Sequence, residues 1–288
     1  MSLAAAAPPP LMHWPDLTGR PLPTATAHSP YGKDPLQFAD LWLPTGPGPH
    51  PTVVMIHGGC WQTDIAEARL MNYLAEDLRQ HGVAVWNIEY RGVDRPGGGY
   101  PGTFEDVADA ADAVRGAAKA NRLDLRRVVV VGHSAGGHLA LWLAARGGLR
   151  ASSPAYRRDP LPIATAISLG GLPDLEAAQT PPGDTCGPEV VARLVGLPTT
   201  AHPDVFADTS PAVMPPPRAR IVLVNASRDR IAPPAGAVAY AKRMAARGPA
   251  PERHEVEGEG HVELIAPGSR SWDLERGLIL AALKRPPG

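Results

Sequence analysis

A serine between small residues, an aspartate on a polar loop and a histidine flanked by glycine follow one another in this chain as Ser134, Asp229 and His261. A serine hydroxyl becomes a competent nucleophile only when a base takes its proton. An imidazole serves as that base only when a third group fixes its tautomer. Ser134 is the centre of Gly132-His133-Ser134-Ala135-Gly136, which fits G-x-S-x-G, and Gly137 extends the run of small residues. Four valines at 128–131 precede it and read as a strand buried on both faces. Leu139, Ala140, Leu143 and Ala144 follow at helical spacing until Gly147-Gly148 stops them. A serine on so sharp a strand-to-helix turn has strained torsions and an exposed Oγ. It also has a helix N-terminus beneath it, where developing negative charge is stabilised. The pentapeptide alone is a weak signal; strand before and helix after give it the context it needs.

The acid of such a constellation belongs just past a later strand, and the base on a loop past the last one. Asp229 follows the apolar run IVLVN, and His261 lies in GEGHVE, where the glycines leave the ring room to turn. Other candidates are placed less well. Asp204 and Asp208 sit in a proline-rich stretch with no preceding strand, Asp174 reads as a helix N-cap, and His254 falls inside a strand. The tetrahedral oxyanion also needs N–H donors. His57-Gly58-Gly59-Cys60-Trp61 follows the first long buried strand, and its glycines let backbone N–H groups turn inward, with the N–H of Ala135 completing the hole. His57 is expected to brace this loop, and Cys60 to matter only through its backbone. Trp61 and His133 are placed at the substrate. Trp61 would wall the pocket, with a core role as the alternative, and His133, like His138, would be packed or hydrogen-bonded.

Holding these groups requires rigid elements on either side. Strands are expected at 37–43, 52–56, 83–90, 128–131, 163–169, 221–225 and 252–256. Between them fall helices at 66–80, from 103 onward, and at 135–146, 235–247 and 271–283. Thr103 followed by Asp106 reads as an N-cap signature. Strands alternating with helices give an α/β fold, a mostly parallel sheet with helices on both faces. Residues 174–217, proline-rich with a helical piece at 188–195, are the expected cap or specificity insertion, and residues 1–30 a loosely held Ala/Pro-rich arm that Trp14 pins to the body.

Composition narrows the function classes. A chain of 288 residues with 44% apolar content suits one large domain with a sizeable core, here 31–288. A net charge of −1 gives no electrostatic reason for nucleic acid or an anionic membrane as partner. The two cysteines, Cys60 and Cys186, are expected as reduced thiols. The N-terminus lacks a basic n-region and its apolar run is broken by prolines, so a cytoplasmic protein is expected. No metal or cofactor is expected, and a homodimer is left open.

With these parts in order, the chain resembles the α/β-hydrolase superfamily over about residues 36 to 285. Within it, HGGCW resembles the HGGxW loop of the arylformamidase (kynurenine formamidase) and feruloyl-esterase-like carboxylesterase branch, and GGGYPGTFEDV and GHVELIAP resemble segments of its bacterial members. The resemblance implies that Gly59, Cys60 and Ala135 supply the oxyanion N–H groups. Cys60 departs from the formamidase loop, where an aromatic or other residue is commoner. The implied activity is that of a serine hydrolase cleaving esters of small acyl groups, with an N-formylkynurenine formamidase as the alternative. The expected partner is therefore a small-molecule ester or formyl amide. A serine peptidase of prolyl-oligopeptidase type shares the elbow but usually carries a large propeller domain, for which there is no room here. A catalytically silent binding module on the same fold is the rival from another class.

Overall fold

The computed structural model describes residues 10–180, 182 and 185–284, so the first nine residues of the expected arm lie outside the described residues. Eight strands form one sheet: β1 (Ala27–Pro30), β2 (Phe38–Trp42), β3 (His50–Ile56), β4 (Ala84–Ile88), β5 (Leu123–His133), β6 (Ile163–Leu169), β7 (Arg220–Ala226) and β8 (Glu252–Val256). Their spatial order is β1-β2-β4-β3-β5-β6-β7-β8; β1 and β2 run antiparallel to their neighbours and every other pairing is parallel. The expected strands all form, within a few residues of their expected bounds. Added to them is β1, a mostly exposed edge strand inside the expected arm.

Valines 128 to 131 of β5 alternate between two cores, one on each face of the sheet, and each is fully buried. Burial of one such side chain contributes roughly 1.5–3 kcal/mol, which is why the central strands form a stiff base for the loops above them. Helices α2 (Asn72–Gln80), α3 (Gly102–Asn121), α4 (Ala135–Ala145), α6 (Pro234–Ala245) and α7 (Arg270–Lys284) cover the two faces. Numbered in chain order, α1 (Trp14–Thr18) precedes them and α5 (Pro188–Val195) falls between α4 and α6. Thr103 does not cap α3: its hydroxyl donates to the Arg91 carbonyl at 2.6 Å, and Asp106 receives the Arg91 guanidinium instead. The expected helix at 66–80 opens as a 3-10 turn, Ala68–Met71, before α2 begins.

From β3 the chain steps outward to β4 and then returns across β3 to β5, so the loops after β3 and β5 leave adjacent strand ends in opposite directions. Ligands of open α/β sheets lie in the crevice such a reversal leaves. Ile56 pairs with Gly132, which sets His57 beside His133 at that crevice.

The expected arm is fastened to the body. Leu17 of α1 is fully buried, the Met12 N–H donates to Glu263 Oε1 at 2.6 Å, and the Arg20 guanidinium donates to the Pro267 carbonyl at 2.8 Å. The two cysteines expected as free thiols are joined, Cys60 to Cys186. Folding brings together two residues that sequence spacing leaves 126 apart. Among the described residues no helix is long and apolar enough to cross a membrane.

Candidate active site

Ser134 stands between β5 and α4 with φ 55° and ψ −120°, a left-handed backbone that costs a non-glycine residue about 1–3 kcal/mol. The neighbouring glycines allow it. A Cβ on Gly132 would lie 1.9 Å from the Gly136 carbonyl oxygen, and one on Gly136 2.2 Å from that of Ile56. The turn therefore closes only without those side chains, and α4 starts directly against the end of β3. Ala135 opens that helix, so its N–H has no intrahelical acceptor and is free to meet a ligand.

His261 and Asp229 come from the loops after β8 and β7. The His261 Nδ1–H donates to Asp229 Oδ2 at 2.6 Å, and both side chains are buried. The other oxygen, Oδ1, accepts the N–H groups of Ile231 and Ala232 at 2.8 and 2.9 Å. Those bonds fix the carboxylate, the carboxylate fixes the tautomer, and Nε2 is left as the basic nitrogen. Gly170, at φ +53°, lets the β6 loop pass beneath this pair; a Cβ there would sit 3.0 Å from Asp229 Oδ2. The rival residues are engaged elsewhere. His254 pairs with Glu252 on β8 at 2.7 Å, Asp208 receives His202 and Tyr100, and Asp174 accepts the Ala177 N–H at 3.2 Å.

The loop after β3 carries three consecutive left-handed residues, Gly59, Cys60 and Trp61, at φ 97°, 50° and 54°. Its foundation is a residue that sequence reasoning missed. Glu89, fully buried just past β4, accepts His57 Nε2–H at 2.8 Å, the Tyr90 N–H at 2.9 Å and the Ala68 N–H at 2.7 Å. His57 Nδ1 meets the Gly58 carbonyl at 2.8 Å, and the ring stacks on Tyr90 at 4.3 Å. His57 thus braces the loop, as its sequence position implied. A glutamate closing the mostly apolar run Ala84 to Ile88 was the available signal, since a buried carboxylate needs partners.

Of the two residues placed at the substrate, Trp61 takes the core alternative instead. It is fully buried, and its indole N–H donates to His138 Nδ1 at 3.1 Å. His138 is held neutral by burial, its pKa pushed down to about 4, which keeps Nδ1 an acceptor while Nε2–H donates to the Thr209 carbonyl. His133 does reach the cavity, and its Nε2–H donates to the His261 carbonyl at 3.1 Å. Burial, then the nearby His261 ring, holds its pKa well below the usual histidine range.

Ser134, His133, His261, Gly59 and Cys60 share one cavity of about 690 Å³. Its remaining walls come from the N-terminal segment (Trp14, Thr18, Leu22), from 63–73, and from Arg95 and Ile231. Residues 174–217, the expected cap, contribute none of the described lining. They reach the site through the Cys186 disulfide to Cys60.

Strand order, elbow and the loops after β3, β7 and β8 together define the α/β-hydrolase fold. Residues 39–244 match the BD-FAE family, and the chain belongs to that family. Among solved structures it is similar to inhibited Esterase B of Lactobacillus rhamnosis, with a TM-score of 0.78 at 17% identity over 92% of this chain and 89% of that one. It is also similar to a bifunctional GH43-CE protein of Bacteroides eggerthii, with a TM-score of 0.68 at 19% identity, covering 88% of this chain and 34% of that one. In sequence, the acylamino-acid-releasing enzyme of Rattus norvegicus is 28% identical over 207 residues, 66% of this chain. The chain spans only about a quarter of that relative's length, 27%.

Proposed function

We propose that this protein is a serine hydrolase that cleaves carboxylic esters through an acyl-enzyme. The observation that carries the reading is the buried His261–Asp229 pair opening onto the same cavity as a strained, elbow-borne Ser134. Ser134 Oγ attacks the ester carbonyl as His261 Nε2 takes its proton. The oxyanion is met by the N–H groups of Gly59, Cys60 and Ala135, and the tetrahedral adduct collapses as His261 returns the proton to the leaving alkoxide oxygen. Water, deprotonated by the same nitrogen, then releases the acid and restores Ser134. The esterase names of the structural relatives point the same way.

An N-formyl arylamide is the second reading. The same groups act on its carbonyl, and an aromatic side chain, Trp14, beside His261 favours an aryl partner. The disulfide also bears on location: such bonds persist in oxidising compartments, which favours one of those over the cytoplasm expected from the sequence.

The test is turnover of p-nitrophenyl acetate and N-formylkynurenine by the wild type beside Ser134→Ala. Ester turnover should fall by about four to six orders of magnitude in the variant. Near-native activity in Ser134→Ala refutes the scheme. Preference for the formyl amide moves the assignment to the second reading, and failure of a fluorophosphonate to label Ser134 moves it to a silent binding module.

A further inference from the structure

We propose that residues 11–22 form the wall that grips the departing alcohol of the ester, with Trp14 as its specificity-determining side chain. The proposal rests on the hydrolase reading above. Seven large apolar side chains are exposed among the described residues, and four of them, Trp14, Leu22, Ile65 and Ile231, line the one cavity that holds Ser134. Apolar surface concentrated in this way marks a binding site rather than scatter.

The side of the reaction follows from His261. Trp14 stands edge-on to the His261 and His133 rings, with centroids 6.3 Å away in each case and planes at 84° and 75°. His261 must hand its proton to the leaving oxygen, so the space beside its ring on the Trp14 side receives the alcohol. Ile65, Leu70 and Tyr73 add further apolar lining to the same cavity. A cavity of about 690 Å³ is within the range that encloses drug-sized ligands, and a two-carbon alcohol fills little of it. Charge does not direct the choice: the rim cations are matched, Arg95 by Asp64 and Arg69 by Glu67. The alcohol that fits is uncharged, apolar and ring-bearing.

The wall is also set in register with the base. Glu263 accepts the Met12 N–H on Oε1 and the Gly260 N–H on Oε2, at 2.6 and 3.2 Å, so one carboxylate fastens both the segment carrying Trp14 and the loop carrying His261.

The experiment compares ethyl, hexyl and 2-phenylethyl acetate, which share an acyl group and leave as primary alcohols of similar acidity. Expected is a rise in kcat/KM along the series. Trp14→Ala should lower the value for 2-phenylethyl acetate about tenfold more than that for ethyl acetate, mainly through KM, with the melting temperature nearly unchanged, and Trp14→Phe should restore most of it. Binding of 2-phenylethyl acetate to the Ser134→Ala variant, measured by calorimetry, should weaken by the same factor when Trp14→Ala is added. A flat series, or an equal loss on all three esters, overturns the proposal while leaving the hydrolase reading in place. Absence of turnover on every ester by the wild type overturns the ester-hydrolase reading, and this proposal with it.

Discussion

Replacing Cys186 with serine cuts the covalent tie between the proposed oxyanion loop and residues 174–217 without altering Cys60 itself. The bond spans 126 residues of sequence, and loop-closure entropy of that size gives a ceiling of about 5 kcal/mol on its stabilisation. Measured disulfides often fall short of that ceiling, so a loss of roughly 2–5 kcal/mol is expected. Each kcal/mol moves the melting temperature of a domain this large by about 2–4 °C, which amounts to a fall of about 4–20 °C. The effect on turnover has a different origin. Cys60 and Trp61 hold φ of 50° and 54°, a conformation that persists only where its surroundings enforce it. The disulfide is one enforcing contact; others are the His57–Glu89 pair, the bond from the Gln62 N–H to the Gly59 carbonyl at 2.9 Å, the bond from the Val93 N–H to the Trp61 carbonyl at 2.7 Å and the Trp61 indole bond to His138. Loss of one oxyanion donor costs about 100- to 1,000-fold in kcat. With the other contacts intact, a fall in kcat of about tenfold is expected, with KM little changed because the donors act on the transition state. The assay is p-nitrophenyl acetate turnover well below the melting temperature, with thiol titration of the unfolded protein showing none in the wild type and one in the variant. Dithiothreitol should impose the same loss on the wild type. A kcat within twofold of wild type, alongside a lowered melting temperature, would show that the loop does not depend on its tether and refute the coupling. An unchanged melting temperature would refute the stability argument.

Three further outcomes follow from buried groups. Asp229→Asn keeps an oxygen for the Ile231 and Ala232 N–H groups but presents an amide to His261 Nδ1, so the fold should hold while the wrong tautomer lowers kcat by about 10³- to 10⁴-fold; ester kinetics beside circular dichroism check both halves. Glu89→Gln weakens the brace beneath the oxyanion loop, and denaturant unfolding should show a loss of about 2–4 kcal/mol together with a lower kcat. Glu275 on α7 is fully buried with neither carboxyl oxygen partnered among the described residues, and burial, then Glu259, pushes its pKa well above the usual carboxyl range. The folded state thus keeps a proton that the unfolded chain gives up near 4.5, so stability is intact below that pH and falls as pH rises above it. Glu275→Gln, neutral throughout, should match the wild type near pH 4 and melt at a higher temperature at about pH 8; equal melting temperatures at both pH values contradict the argument.

The elements legible in the sequence are those whose periodicity reflects burial. The valines before Ser134 and the IVLVN run before Asp229 sit in the centre of the sheet, where both faces are covered, so composition alone marks them. The edge strand β1, Ala-His-Ser-Pro, is exposed at three of its four positions and shows no alternation to read. Candidate site residues on strand ends were legible for a related reason: Ser134 and Asp229 each follow a strongly apolar strand, whereas His261, after the polar β8, was marked by its glycine-flanked loop. Trp61 was misplaced because a large aromatic beside a glycine loop fits a pocket or a core equally well. What decides between them is a hydrogen-bond partner on α4, His138, 77 residues away. The Cys60–Cys186 bond and the wall built by Trp14 are the same kind of fact, since both depend on which distant segments the topology brings to the crevice.

The loop after β3, the proposed oxyanion loop, is the place where these long-range ties converge, and the proposed chemistry requires that. A donor that has to reorganise as charge develops gives back part of the stabilisation it offers, whereas one already aimed does not. Cys60 and Trp61 stand in left-handed backbone, which left to itself relaxes. Glu89 holds the loop from the end of β4, Cys186 from the insertion, and the start of α4 from across the crevice, where Gly136 admits no side chain. Each tie comes from a different segment, so loss of any one should lower kcat before it abolishes folding, and the three losses should be less than additive if they restrain one loop conformation. A double variant, Glu89→Gln with Cys186→Ser, measures this directly. A combined loss in kcat equal to the product of the separate losses would mean that the ties act independently, and that no shared preorganised state connects them.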